Sequence, residues 1–126
     1  MPSDSVEITV SIDSVGLASD QIVDVTPGEQ KEFRVLVKNV GPNVSNLHID
    51  VHGVDPSWRR LSLESVQLFP NDESEIVLVV TVPKISKSAA GNYPLSIRME
   101  RQLRSEDEQQ LLAEFPVKIR VRPYFS

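Results

Sequence analysis

Between Thr26 and Asn43 the chain reads TPGEQKEFRVLVKNVGPN, an alternation of apolar and polar residues closed at both ends by turn formers. Phe33, Val35 and Val37 recur at every second position, so in an extended chain they project to one face. Pro27 presets φ and Gly28 tolerates φ > 0, which places a turn before this run, and Asn39 to Asn43 forms a second turn after it. The pattern predicts the central core strand of a small β-sandwich, with Phe33, Val35 and Val37 meeting Leu95, Ile97 or their neighbours across the core.

The rest of the chain repeats the same grammar. Val6, Ile8, Val10 and Ile12 alternate with polar residues as a half-buried strand does. After a loop at Ser14 to Asp20, Ile22, Val23 and Val25 mark a short strand. Leu47, Ile49 and Val51 alternate with His48, Asp50 and His52 until Gly53 and Pro56 break the pattern. From Trp58 to Phe69 the apolar positions Leu61, Leu63, Val66 and Leu68 read as one strand. Its phase slips between Leu63 and Val66, the mark of a bulge or a bend.

Ile76 to Val82 is apolar on both faces, as in a strand covered wholly or partly on each side. Tyr93, Leu95, Ile97 and Met99 form another inward-facing set, with Pro94 at the strand start where a missing donor is tolerable. Phe115, Val117, Ile119 and Val121 form the last. The charged stretch Arg101 to Gln110 is expected as a long loop joining these two into a hairpin. Good helix formers around Leu103, Leu111 and Leu112 leave a turn or two of helix open within Gln102 to Ala113. Seven or eight short strands with Pro, Gly and Asn turns, and no sustained helical period, predict an all-β, antiparallel sandwich with Greek-key connections.

Composition narrows the function classes. At 126 residues one domain with one core is expected over 1–126. The longest uninterrupted apolar run, Ile76 to Val80, is too short to cross a bilayer. MPSDSVEITV lacks the basic-then-apolar order of a secretory signal. The absence of cysteine excludes a disulfide, a thiolate metal site and a cysteine nucleophile. A net charge of −5, with the acid excess in residues 1–50, argues against a general nucleic-acid binder. No phosphate-cradling Gly-rich loop with Lys, HExxH or GxSxG frame occurs, and no carboxylate pair stands in a recognisable acid and base arrangement. No catalytic, cofactor-binding or metal residues are therefore assigned. The chain closes on VRPYFS directly after a strand, which leads us to expect that it is one module of a longer polypeptide.

The order of these signals resembles the bacterial and archaeal immunoglobulin-like repeats of the NEW3 kind. Those are associated with α-galactosidase and other glycosidase sequences and related in pattern to the CARDB and DUF11 repeats. The shared frame is a Pro-Gly turn, a strand ending in Asn-x-Gly, a Trp after the next strand, a Pro turn, a long strand ending in Val-Pro, and Gly-x-Tyr. It covers roughly residues 20 to 122 of this chain. Two departures stand out: Pro70-Asn71-Asp72 replaces the usual Pro-Gly, and Arg101 to Gln110 is longer than the common hairpin. The resemblance implies an immunoglobulin-like fold, an accessory role without catalysis in a multidomain protein, and an extracytoplasmic location. It carries over no ligand site.

Among individual residues, Trp58 is expected to plug one end of the sandwich with its N–H bound to a carbonyl, the alternative being an exposed ring that stacks on a sugar. Tyr93 is expected as a structural corner. His48 and His52 share a strand face but lie roughly 13 Å apart at extended rise, too far for one metal ion. Arg98, Lys118, Arg120 and Arg122 gather on the outward face of the terminal hairpin, with Glu100 and Glu114 available to offset them. Together with Arg101 and Arg104 of the adjoining charged stretch they are the candidate contacts for an acidic protein partner, either a neighbouring domain or another protein. Asn43-Val44-Ser45 matches the glycosylation triplet, a pattern common by chance. The resulting expectation is a non-catalytic spacer or protein-interaction module, with carbohydrate binding as the alternative. Nucleic acid and direct membrane insertion are not expected.

Overall fold

A computed structural model describes residues 6–83, 91–102 and 109–122. They form ten strands: β1 (Val6–Ile12), β2 (Val15–Gly16), β3 (Ile22–Val25), β4 (Gln30–Asn39), β5 (Ser45–Gly53), β6 (Arg59–Leu61), β7 (Ser65–Leu68), β8 (Glu73–Thr81), β9 (Gly91–Gln102) and β10 (Gln109–Val121). One sheet runs β2-β1-β4-β8-β6 and the other β3-β10-β9-β5-β7. The chain changes sheet at every step from β2 to β9, which winds it into a two-layer sandwich.

The run from Thr26 to Asn43 occupies the centre of the first sheet. β4 pairs antiparallel with β1 on one side and β8 on the other, and Phe33, Val35 and Val37 are fully buried. Their neighbours across each ladder, Ile8 and Val10 on β1 and Ile76 and Leu78 on β8, share that face. Leu95, Ile97 and Met99 of β9 belong to the same buried cluster. Each such aliphatic or aromatic side chain stabilises the fold by about 1.5–3 kcal/mol relative to exposure.

Both Pro turns have the same build. Gly28 (φ 86°) follows Pro27, and Glu29 N–H donates to Thr26 O at 2.9 Å; Asn71 (φ 69°) follows Pro70, and Asp72 N–H donates to Phe69 O at 2.9 Å. Positive φ after proline with this bond is a type II turn, and Asn is the residue besides Gly that tolerates it. Asn71 therefore takes in the second turn the part that Gly28 takes in the first.

Four features depart from the periodicity. First, β3 pairs with β10 in parallel, Ile22 opposite Lys118 through Val25 opposite Val121, while the other ladders of that sheet are antiparallel. Second, the phase slip after Leu63 is neither a bulge nor a bend within one strand. β6 pairs with β8 in the first sheet and β7 with β5 in the second, so the side-chain parity changes because the chain crosses between layers. Third, Arg101 to Gln110 is not all loop. The hairpin arms continue into it, with Arg101 opposite Gln110 and Gln102 opposite Gln109, and Leu112 is the extra residue of an irregularity between Leu111 and Ala113. Residues 109–113 are thereby strand and not helix; residues 103–108 lie outside the described region. Fourth, the two faces of β8 are covered unequally, one wholly and the other partly, as its apolar run allowed. Ile76, Leu78 and Val80 are fully buried, whereas Val77 and Val79 are half-buried on the outer face opposite Arg34 and Glu32.

Candidate functional site

The hairpin face on which Arg98, Lys118, Arg120 and Arg122 gather is largely neutralised. Arg98 on β9 stands opposite Glu114 on β10, and its Nε donates to Glu114 Oε2 at 3.0 Å. Ser96 Oγ donates to the same oxygen at 2.5 Å. Glu114 is held below the usual carboxylate range, first by the Ser96 hydroxyl and then by the Arg98 guanidinium. Arg120 clasps Asp24 with two bonds, Nε to Oδ1 at 2.5 Å and Nη2 to Oδ2 at 2.9 Å, and Arg122 Nη2 adds a contact at 3.5 Å. These bonds lower the Asp24 pKa to about 2.

The acid that offsets Arg120 and Arg122 is therefore Asp24 and not Glu100. Parallel pairing of β3 with β10 sets Asp24 opposite Arg120, a juxtaposition that the local pattern of β3 does not reveal. Glu100 instead lies opposite Leu111 and His48, with its Oε1 buried and, among the described residues, without a hydrogen-bond partner. Lys118 has no ion pair among the described residues. Arg101 pairs in register with Leu47 and is half-buried with a partner of its own. Arg104 lies outside the described residues.

On β5 the outward set contains an internal bond: His52 Nε2 and Asp50 Oδ2 are 2.8 Å apart. His48 stands opposite Ser65 of β7 on one side and Glu100 of β9 on the other. Among the described residues no three potential ligands gather as a metal site would require.

Trp58 ends a 3₁₀ turn, Pro56–Trp58, capped by Asp55. Ser57 N–H and Oγ both donate to Asp55 Oδ1, at 2.9 and 2.8 Å, and keep that carboxyl below its ordinary pKa. The indole is half-buried and meets Tyr93 edge-on, ring centroids 5.3 Å apart at 74°. It thus packs at the rim of the core, as expected, but not as a fully buried plug, and among the described residues its N–H has no carbonyl partner. Its outer side lines an open cleft of about 410 Å³ with Gln30, Ser57, Arg60, Val79 and Thr81.

A further clamp has no counterpart in the sequence pattern. Asn39 is fully buried at the end of β4, where its Nδ2 donates to Asn43 O at 2.8 Å and Leu68 O at 2.9 Å, while Gly41 N–H donates to its Oδ1 at 2.9 Å. Its backbone joins the type II turn as well, Asn39 N–H to Asp72 O and Asn71 N–H to Asn39 O. One residue thereby ties two turns and both sheets together. This is the physical reason for an asparagine at the end of β4.

No family model and no curated protein matches the chain. Solved structures do. The ASH/PapD-like domain of human CEP192 is 18% identical over 96% of this chain and 87% of that one, with a TM-score of 0.59. A FixG-related protein from Vibrio parahaemolyticus is 12% identical over 95% of this chain and 99% of that one, with a TM-score of 0.59. A family 123 glycoside hydrolase from Clostridium perfringens reaches 0.70 at 9% identity, covering 95% of this chain but 28% of the hydrolase. At such identities the likeness shows the fold alone: an immunoglobulin-like β-sandwich.

Proposed function

We propose that the chain is a non-catalytic immunoglobulin-like module, a spacer or protein-interaction domain of a larger polypeptide, of the accessory kind implied by its repeat-like motif order. The observation that supports this is where its polar groups are engaged. Asn39, Asp55, Asp24 with Arg120, and Glu114 with Arg98 lock turns or neighbouring strands, and they do not converge on a shared cavity. Such a molecule presents sheet faces and edges, not a reaction site.

The test is replacement in the natural polypeptide that contains these residues. An unrelated immunoglobulin-like sandwich of matched span, exchanged for residues 6–122, restores function if the module is a spacer and abolishes partner association if it is an interaction domain. Turnover of any substrate by residues 1–126 alone overturns both.

A carbohydrate-binding reading is favoured by one observation, the part-exposed Trp58 in a cleft with Gln30 and Thr81. One of the similar structures is a glycoside hydrolase. Glycan-array binding that is lost in Trp58→Ala, with the melting temperature of the variant measured alongside, decides for it; an empty array decides against.

A further inference from the structure

The first sheet ends at β6, and no described strand covers the far side of that edge. Ser62 N–H donates to Val77 O at 2.9 Å, and in an antiparallel ladder successive residues direct their backbone groups to opposite sides. Leu61 therefore turns its N–H and C=O away from β8, toward solvent. Open edges of this sort pair with added strands.

Three clefts flank this three-residue edge. Trp58, Arg60, Val79 and Thr81 line the one of about 410 Å³; Arg60, Leu61, Val77 and Val79 line another of about 210 Å³; Arg59, Arg60, Leu61 and Glu64 line a third of about 240 Å³. An added strand alternates its side chains between the two sides of a sheet, and this edge has hollows to receive them.

Charge selects the occupant. The chain carries −5 overall, yet Arg59 and Arg60, which project to opposite sides of β6, have no ion pair among the described residues. Arg59 Nε donates to Val54 O at 3.3 Å, and its two terminal nitrogens meet no partner among the described residues. The nearest acids do not neutralise them: Asp55 is bonded to Ser57, and Glu64 shares a cleft with both arginines without forming a salt bridge. By contrast, Arg98, Arg120 and Arg122 on the other sheet all meet carboxylates.

Resting on the interaction-module reading, we propose that β6 is a docking edge for an extended, carboxylate-rich segment of a partner polypeptide. The segment pairs with the Leu61 backbone, sets its acidic side chains on the outer side of the sheet beside Arg60, and turns its β-branched ones to the inner side beside Leu61. So short a strand offers too few backbone bonds to hold a partner alone, and the arginines and clefts supply the selectivity. An oligosaccharide fits less well, because Tyr93 braces the indole and leaves it half-buried.

The probe is a short synthetic peptide of alternating glutamate and valine, titrated into the isotope-labelled protein and followed by amide chemical shifts and hydrogen exchange. Expected are shifts confined to β6, β8 and Trp58, and exchange of the Leu61 amide slowed by roughly tenfold or more on saturation. Arg60→Glu is expected to weaken binding roughly tenfold. Lys38→Glu, which changes the net charge equally at the far end of β4, should leave it unchanged. Equal loss in both variants overturns the site, because the attraction is then not local. So do shifts at β3 or β7 with Leu61 unprotected, tight binding of the lysine-and-valine counterpart, or preference for oligogalacturonate over the peptide. If no peptide binds while the module exchange still abolishes partner association, the β6 site falls and the interaction reading stands.

Discussion

Asn39 shows how much one side chain can do when it is buried with its polar atoms bonded. Replacing it with alanine deletes three hydrogen bonds and leaves the Leu68 carbonyl without its buried donor. The expected loss for Asn39→Ala is about 2–4 kcal/mol by urea unfolding. Gly53 is the second residue on which the fold rests. It ends β5 at φ 115°, and a Cβ there would be driven into the Pro94 carbonyl, with Leu95 Cα only 2.9 Å away. Gly53→Ala is expected to cost about 3 kcal/mol or more, because the obstacle is backbone and cannot rotate aside. Gly16 is the control, since a Cβ added there would meet nothing within 4 Å. Gly16→Ala should therefore stay within about 0.5 kcal/mol. From sequence, Asn39 was legible as the start of a turn and Gly53 as a strand breaker. The clamp and the collision were not, because each depends on a chain segment, Leu68 or Pro94, that no local pattern connects to it.

The strands themselves were legible wherever one face is buried and the other wet. β1, β4, β5, β9 and the second half of β10 follow their period-2 pattern closely, since burial on one side forces it. What escaped was pairing. The β1–β2 hairpin turns through Asp13 and Ser14, both at positive φ, without the Asn-Gly or Asp-Gly pair that announces such turns. The crossing from β6 to β7 looked like one flawed strand. The β3–β10 pairing joins segments nearly the whole chain apart, and with it the Asp24–Arg120 clasp was missed. That clasp has a pH signature. The folded pKa of Asp24, about 2, lies below its ordinary 3.8, so its contribution is present above pH 4 and is lost as pH falls toward 2. Melting curves of the native protein and Asp24→Asn should therefore be apart at about pH 6 and draw together near pH 2. Added salt should narrow the gap at the higher pH, since the pair is solvent-exposed. Curves equally far apart at both pH values would mean that Asp24 acts through something other than its charge.

On the scale of the whole molecule, both sheets contribute to one buried cluster that runs from Val10 and Val35 through Ile76 to Ile97 and Ile119. Where the buried residues form a single cluster, loss of packing at the centre has nowhere to be confined. Val35 is the sharpest place to test this, for it is fully buried, paired with Val10 on one side and Ile76 on the other. Val35→Asp places a carboxylate among aliphatic neighbours on both ladders, at a cost of several kcal/mol, comparable to the stability of an ordinary domain. The expected result is a chain without a cooperative thermal transition. The native protein offers the matching control, because Trp58 is its sole tryptophan and sits at the rim of this core against Tyr93. Its fluorescence and the far-ultraviolet circular dichroism of the strands should report one coincident urea transition, with a slope of about 1–3 kcal/mol per molar. A tryptophan signal that moves before the strands melt would show that the β6 edge and its clefts open independently of the core. In that case Val35→Asp would still abolish the main transition, and the docking edge would have a stability of its own.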